Sequence, residues 1–245
     1  ASSGAYAVPI SIDQSVTYQT IDGMGTMCRI SAWRVQVGPF YVEVPLDGFY
    51  DSLINVMGYT MLRPSPSLCD FNPSPGVYSV SQLRDEYSHA LALKAIADAN
   101  GEPFRITPAV FSPPGYMKYN NQCPGDQEST YPSYTQNSLR PEYYDDYGDL
   151  IATYLRLLKD SLGLDIYAIS LQNEPFFNEP YSSCSYAGGT HYAEMLRVAG
   201  PKVRQAGYGT LMYGCEHMAW AYPSWENAVL ADAQAAPYLD RFAIH

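Results

Sequence analysis

From residue 20 onward, short apolar runs alternate with longer segments in which apolar residues recur at helical spacing. The short runs read as strands at Thr20–Thr26, Tyr59–Arg63, Phe104–Phe111, Ile166–Asn173, Thr210–Cys215 and Arg241–His245. Between them the spacing predicts helices over Leu46–Met57, Ser81–Ala99, Pro141–Leu162, Thr190–Ala206 and Ser224–Ala236. Leu83, Tyr87, Ala90, Leu91 and Ala95 share one face of the second helix, and Asn100-Gly101 stops it. Pro141 opens the third where a missing N–H costs nothing, and Gly163 ends it. Thr190 and Ser224 stand where a hydroxyl can cap free backbone N–H groups. An earlier apolar stretch, Val8–Ile12 with Val16–Tyr18 behind it, precedes the alternation and is expected to pair outside the main sheet.

Repeated strand–helix–strand units with short returns imply a parallel sheet covered by helices. A closed barrel and an open doubly wound sheet both meet that description. The open nucleotide-binding form usually carries a glycine-rich turn after an early strand. Gly23-Met24-Gly25 is too short for that fingerprint, and no GxxxxGK run exists. Polar and aromatic residues gather instead after the strand ends, as in an α/β (β/α)8 TIM barrel with its site at the carboxyl face. The expected organisation is a β-strand appendage over 1–19 and a barrel domain over 20–245, with six of the eight units present.

Composition narrows the function classes. The net charge of −11 argues against nucleic acid and anionic membrane as partners. No stretch approaches the roughly 20 continuous apolar residues of a membrane helix. Tyrosine is abundant, with 23 residues, and its flat face and hydroxyl suit sugar rings, a stable secreted surface being the alternative. The chain starts without Met and shows no apolar leader, as an exported protein or a trimmed chain would, and a secreted or extracytoplasmic location is the expectation. The five cysteines are an odd count. Cys123 and Cys184 lie in loops after predicted strands, so a disulfide tying two rim loops is expected, favoured by an oxidising compartment. Cys28 with Cys69 is a second pairing, leaving Cys215 free; the alternative is that these three are small buried apolar residues. No CxxC or HExxH spacing supports a metal site.

The candidate chemistry concentrates in Ile169-Ser170-Leu171-Gln172-Asn173-Glu174-Pro175. An apolar run that ends in an amide, a carboxylate and a proline delivers polar side chains to the mouth of a barrel and then turns. A carboxyl group kept partly protonated by apolar surroundings can hand a proton to a leaving oxygen. The structural alternatives are a helix-capping carboxylate at Glu174 and an Asx turn at Asn173. Arg63 ends the second strand, where a guanidinium needs a carboxylate partner. Glu216 is the other strand-end carboxylate, either a substrate contact or a fallback catalytic group. Phe111 and Tyr116 bracket Ser112-Pro113-Pro114-Gly115, whose prolines can hold an aromatic rim for stacking sugars, the alternative being a loop that packs against its own barrel. Trp220 and His245 are further substrate-site candidates, and Glu179 reads as a solvated loop charge.

Taken in order, several motifs resemble those of glycoside hydrolase family 30, in the clan of retaining (β/α)8-barrel glycosidases. They are Tyr18-Gln19-Thr20-Ile21-Asp22-Gly23-Met24-Gly25 and Met61-Leu62-Arg63, then Phe111-Ser112-Pro113-Pro114-Gly115-Tyr116-Met117-Lys118, Ser170-Leu171-Gln172-Asn173-Glu174-Pro175 and Phe242-Ala243-Ile244-His245. The resemblance implies that Glu174 is the acid/base, that Asn173 holds the sugar 2-hydroxyl and that Arg63 faces the nucleophile. It also implies a β-linked carbohydrate as substrate, water as co-substrate and no cofactor. Family members carry a second glutamate, the nucleophile, on a seventh strand that has no counterpart in these residues. Two readings follow: a secreted retaining β-glycosidase working by double displacement, or a non-catalytic carbohydrate-binding barrel lacking the nucleophile. A third pairs Glu174 with Glu216 in an inverting hydrolase.

Overall fold

The computed structural model describes residues 15, 21–27, 34–37, 40–43, 46–125, 136–217 and 223–245. Within them β1 (Gly25–Thr26), β4 (Met61–Leu62) and β5 (Arg105–Ile106) pair in parallel in that spatial order. The strands β6 (Ala168–Ser170), β7 (Leu211–His217) and β8 (Arg241–Ile244) form a second parallel triple. The two triples meet where the chain beyond β5 runs beside β6. Ala109 bridges Ser170 there. Ser170 N donates to Pro108 O at 2.9 Å, Val110 N to Ser170 O at 3.0 Å, and Asn173 N to Val110 O at 2.7 Å. The six predicted strands are therefore neighbours in chain order, all parallel, with helices between them: an α/β fold. Their regular ladders are shorter than the apolar runs that announced them.

The helices follow the predicted spans with local breaks. The first is α1 (Leu46–Asp51), which continues as a π-helical turn over Ser52–Val56. A short α2 (Leu68–Phe71) was not anticipated. The helix expected over Ser81–Ala99 is divided at Tyr87 into α3 (Val80–Glu86) and α4 (Ser88–Ala99). Pro141–Tyr143 form a 3-10 turn leading into α5 (Tyr144–Leu162), which ends on Gly163 in the left-handed region. Next come α6 (Gly189–Gln205) and α7 (Ser224–Ala231), the latter shorter than expected. An antiparallel pair, β2 (Arg34–Val37) with β3 (Phe40–Glu43), was also not anticipated. The appendage expected over 1–19 lies outside the described residues apart from Ser15.

The core corrects the simplest reading of the tyrosines. Tyr87, Tyr147, Tyr154, Tyr186 and Tyr192 are among the largest fully buried side chains, so much of this residue's abundance serves packing rather than sugar contact. A buried phenol is tolerated when its hydroxyl finds an acceptor. Tyr147 donates to Leu171 O at 2.6 Å and Tyr154 to the Tyr87 hydroxyl at 2.8 Å. The first of these pins α5 to the residue just past β6, two positions before Asn173. Close packing of α5 on α6 depends on Gly148, where an added Cβ would lie 2.9 Å from Ala199 Cα.

The disulfide expectation is overturned. Cys123 is bonded to Cys69, 54 residues away, and not to Cys184, which is a buried free thiol. The reason is the unanticipated α2: it carries Cys69 beside the loop after β5, where Ser67 bridges Ser112, and the Cα atoms of Cys69 and Cys123 come to 6.1 Å. Cys215 is likewise a buried free thiol, and Cys28 lies outside the described residues. The fully buried Lys118 ties the same loops together, its ammonium donating to Cys123 O at 2.8 Å and Ser183 O at 2.7 Å.

Candidate active site

Five of the residues singled out at strand ends converge on one cluster at the carboxyl edge of the sheet. Arg63 follows β4, Asn173 and Glu174 follow β6, Glu216 is the penultimate residue of β7, and His245 follows β8. Arg63 Nη2 donates to Asn173 Oδ1 at 2.6 Å and to Glu216 Oε1 at 2.7 Å, and Arg63 Nε reaches the same Glu216 oxygen at 3.2 Å. Asn173 Nδ2 donates to Glu174 Oε2 at 3.2 Å. His245 Nδ1 lies 2.9 Å from Glu174 Oε1, and its Nε2 lies 3.6 Å from Glu216 Oε1. One amide thus joins the arginine to the first glutamate, and one imidazole joins the two glutamates.

The two carboxylates occupy different surroundings. The Glu216 side chain is 1% exposed and that of Glu174 is 18% exposed. Glu216 Oε2 is buried without a hydrogen-bond partner among the described residues. Both glutamates sit at positive φ, 41° for Glu174 and 50° for Glu216. Such backbone costs on the order of 1–3 kcal/mol at a non-glycine residue and gathers at functional sites. Among the described non-glycine residues only Asn121 shares it, so two of the three positive-φ positions fall in this cluster.

The electrostatics follow from these contacts. His245 is pushed up to about 9 by its hydrogen bonds to Glu174 and then Glu216, against the opposing effect of burial. It is therefore an imidazolium at neutral pH, bonded through Nδ1 to Glu174 and with Nε2 in ion-pair range of Glu216. Burial works against the charge on Arg63, but Glu216 and Tyr213 beside it raise its pKa on balance. The carboxyl of Glu179, read from sequence as solvated, is raised by partial burial and by the charge of Glu174. A cavity of about 390 Å³ opens on the cluster, with Arg63, Glu216, His245, Tyr213 and Thr107 on its wall. Glu174 does not line it; it bonds to His245, which does.

Two of the other expected site residues do not line the cavity. Phe111 is buried, 9% exposed, with its ring centroid 6.0 Å from Arg63 Cζ, so it backs the guanidinium instead of offering an open stacking face. Tyr116 turns away from the cluster: its hydroxyl donates to Asn72 Oδ1 at 2.6 Å and its ring packs edge-on against Tyr143. The prolines before it do fix the loop, but the buried Asn72 gives the phenol a better partner than the mouth does. Trp220 lies outside the described residues, as does the side chain of His217. One participant was missed. Tyr213 on β7 lines the cavity, donates to Thr107 O at 3.0 Å, and is raised in pKa by burial and by Glu216. The available signal was its place on the predicted strand three residues before Glu216. Among the described residues no group of His, Cys, Asp or Glu is arranged to hold a metal ion, and no helix is long and apolar enough to cross a membrane.

Comparison with known proteins bears on the fold. No family model matches the chain. It is 24% identical over 260 residues to an endo-1,6-β-D-glucanase of Neurospora crassa, covering 100% of this chain and 51% of that protein. It is 21% identical over 256 residues to a lysosomal acid glucosylceramidase of Mus musculus, covering 96% and 47%. Among solved structures it superposes on the glycoside hydrolase family 30 subfamily 8 xylanase of Clostridium acetobutylicum with a TM-score of 0.68, at 23% identity, covering 95% of this chain and 51% of that one. The chain spans about half the length of the curated relatives it matches. The resemblance to glycoside hydrolase family 30 read from the motifs is borne out, and the fold is shared with that family.

Proposed function

We propose that this chain carries the acid/base part of the active site of a retaining β-glycosidase built on a (β/α)8 barrel, with the barrel domain beginning near residue 20. The observation that carries the proposal is the placement of Glu174. It follows β6, with one oxygen held by the adjacent Asn173 and the other by His245 from beyond β8, on strained backbone beside a cavity wall. In the double displacement, Glu174 gives its proton to the glycosidic oxygen as the bond breaks. It then takes a proton from the water that releases the sugar. Asn173 and His245 fix the direction in which the carboxyl group points, and Asn173, beside the acid, is assigned to hold the sugar 2-hydroxyl. Arg63 holds positive charge at the centre of the cluster, where negative charge must be kept ionised.

Glu216 is a poor nucleophile by geometry. Its side chain is closed off from solvent, and one of its oxygens already carries two bonds from Arg63. It reads as the counter-ion that holds Arg63 in place, which speaks against the inverting pair of Glu174 with Glu216. The nucleophile then comes from outside the described residues. The relatives act on β-glucan and glucosylceramide, and the superposed enzyme on xylan, which together support a neutral β-linked glycan as the substrate class. The Cys69–Cys123 disulfide supports an oxidising, extracytoplasmic compartment.

The test is Glu174→Gln, which keeps the shape and removes the proton. Turnover of a natural β-glycan, whose leaving group needs protonation, falls about 10²- to 10⁴-fold. An aryl glycoside with an acidic phenol as leaving group loses far less in the bond-breaking step. Equal losses on both substrates, or no loss on the polysaccharide, remove Glu174 from the acid/base role.

A further inference from the structure

We propose a second, separate binding site for a neutral glycan ring in the cavity between Tyr78, Tyr116, Tyr143 and Asp146, resting on the glycosidase reading above. The cavity measures about 190 Å³ and shares no lining residue with the one beside Glu216. That is below the ~300 Å³ at which drug-sized pockets begin, and so it fits one ring rather than an enclosed chain. Its wall comes from three stretches distant in sequence: the loop after α2, the 3-10 turn of Gly115–Met117, and the start of α5.

The wall is held rigid by groups that face inward. Asn72 is buried and fully engaged, its Nδ2 donating to Ser74 O at 2.9 Å and Val77 O at 2.8 Å while its Oδ1 accepts the Tyr116 hydroxyl. Those bonds shape the turn that presents Tyr78. Tyr78 is 40% exposed, with its ring centroid 5.6 Å from that of Phe71 beneath it. Arg140 covers Tyr143, its Cζ 4.6 Å from the ring centroid, and also donates to Tyr116 O. The exposed ring left for a ligand is therefore that of Tyr78. The same wall carries Asp146, which makes no ion pair among the described residues, whereas Asp149 is bonded to Lys202 at 3.1 Å. Burial and the nearness of Tyr78, Asp146 and Tyr143 push the Tyr116 phenol up to about 12, in keeping with polar groups that crowd one small space. An aromatic face and an unpaired carboxylate lining one small cavity match the two surfaces of a sugar ring, C–H groups on its face and hydroxyl donors at its edge. The carboxylates repel uronic or sulfated glycans, so the ligand is uncharged.

The experiment is affinity electrophoresis of the protein through gels containing soluble β-1,6-glucan, barley β-glucan, xylan or polygalacturonate. All variants carry Glu174→Gln so that the gel is not digested. Retardation is expected in at least one neutral glycan and not in polygalacturonate. Tyr78→Ala weakens it about five- to tenfold, Asp146→Asn weakens it severalfold, and Tyr78→Phe, which keeps the ring face, leaves it unchanged. With Glu174 restored, KM for a short aryl β-glycoside is the same in all three. The proposal is overturned if neutral glycans never retard the protein, if Tyr78→Ala runs like its parent, or if Tyr78→Ala raises KM on the short substrate. A protein that hydrolyses nothing but still loses retardation with Tyr78→Ala sinks the glycosidase reading and keeps this one.

Discussion

Replacing Arg63 by methionine removes the cation that faces a fully enclosed carboxylate, and the cost follows from the contacts left behind. Arg63 Nη2 lies 2.7 Å from Glu216 Oε1, an attraction of roughly 6 kcal/mol at an effective dielectric near 20. His245 Nε2 remains 3.6 Å from the same oxygen and, while protonated, retains roughly 5 kcal/mol of gross attraction. Breaking one side of a buried pair usually costs about 3–5 kcal/mol. The surviving imidazolium places Arg63→Met near the lower end, about 3 kcal/mol at pH 7. His245 titrates near 9, and loss of the repulsion from Arg63 moves it higher still, so the penalty grows toward about 5 kcal/mol once the pH passes well above 9. Glu216→Gln in the Arg63→Met background removes the stranded charge and recovers about 2 kcal/mol, since no buried ion is left. Urea denaturation of the wild type, both single variants and the double variant at pH 7 and 10.5 reads all of this as one double-mutant cycle. A coupling below about 0.5 kcal/mol, the scatter expected of independent sites, would refute the pairing of these two residues.

Two further outcomes follow from the same geometry. In an NMR titration the His245 imidazole should titrate near 9, well above the ordinary 6.5. Because its folded pKa is raised, the stability it contributes is complete below pH 6.5 and is lost as the pH climbs through about 9; His245→Gln should flatten that fall, and an imidazole titrating near 6.5 in the wild type would dismiss the bridge between the two glutamates. Peptide mapping under non-reducing conditions should recover Cys69 joined to Cys123, and reducing that bond, which closes 54 residues, should cost up to about 4 kcal/mol in a denaturant melt; recovery of a Cys123–Cys184 peptide would contradict the fold of the loop after β5.

What could be read from the chain, and what could not, separates along a physical line. Apolar runs and helical periodicity announce elements because burial acts on many residues at once, so all six parallel strands and the main helices were legible. Asn173 and Glu174 pose the harder case. Alternation along a strand sends consecutive side chains to opposite faces, so two adjacent polar residues should not serve one site. They do, because both lie past the end of β6, where strand alternation no longer holds and the backbone at Glu174 turns to a φ of 41°, and Asn173 then spans from Arg63 to Glu174. Glu216 repeats the device at a φ of 50° where β7 ends. No residue type forecasts it, since glycine is the usual occupant of that region and glutamate pays strain there. The same limit explains Tyr116 and Cys123, whose partners Asn72 and Cys69 lie in or beside a four-residue helix too short to register as a period. Chemistry in this chain is set by single backbone residues that depart from the regular pattern, while the pattern itself says only where such departures can be used. Glu174 and Glu216 hold their strained conformations because hydrogen bonds from neighbouring strand ends over-determine them. The two turns therefore depend on the Arg63, Asn173 and His245 contacts as much as those contacts depend on the turns.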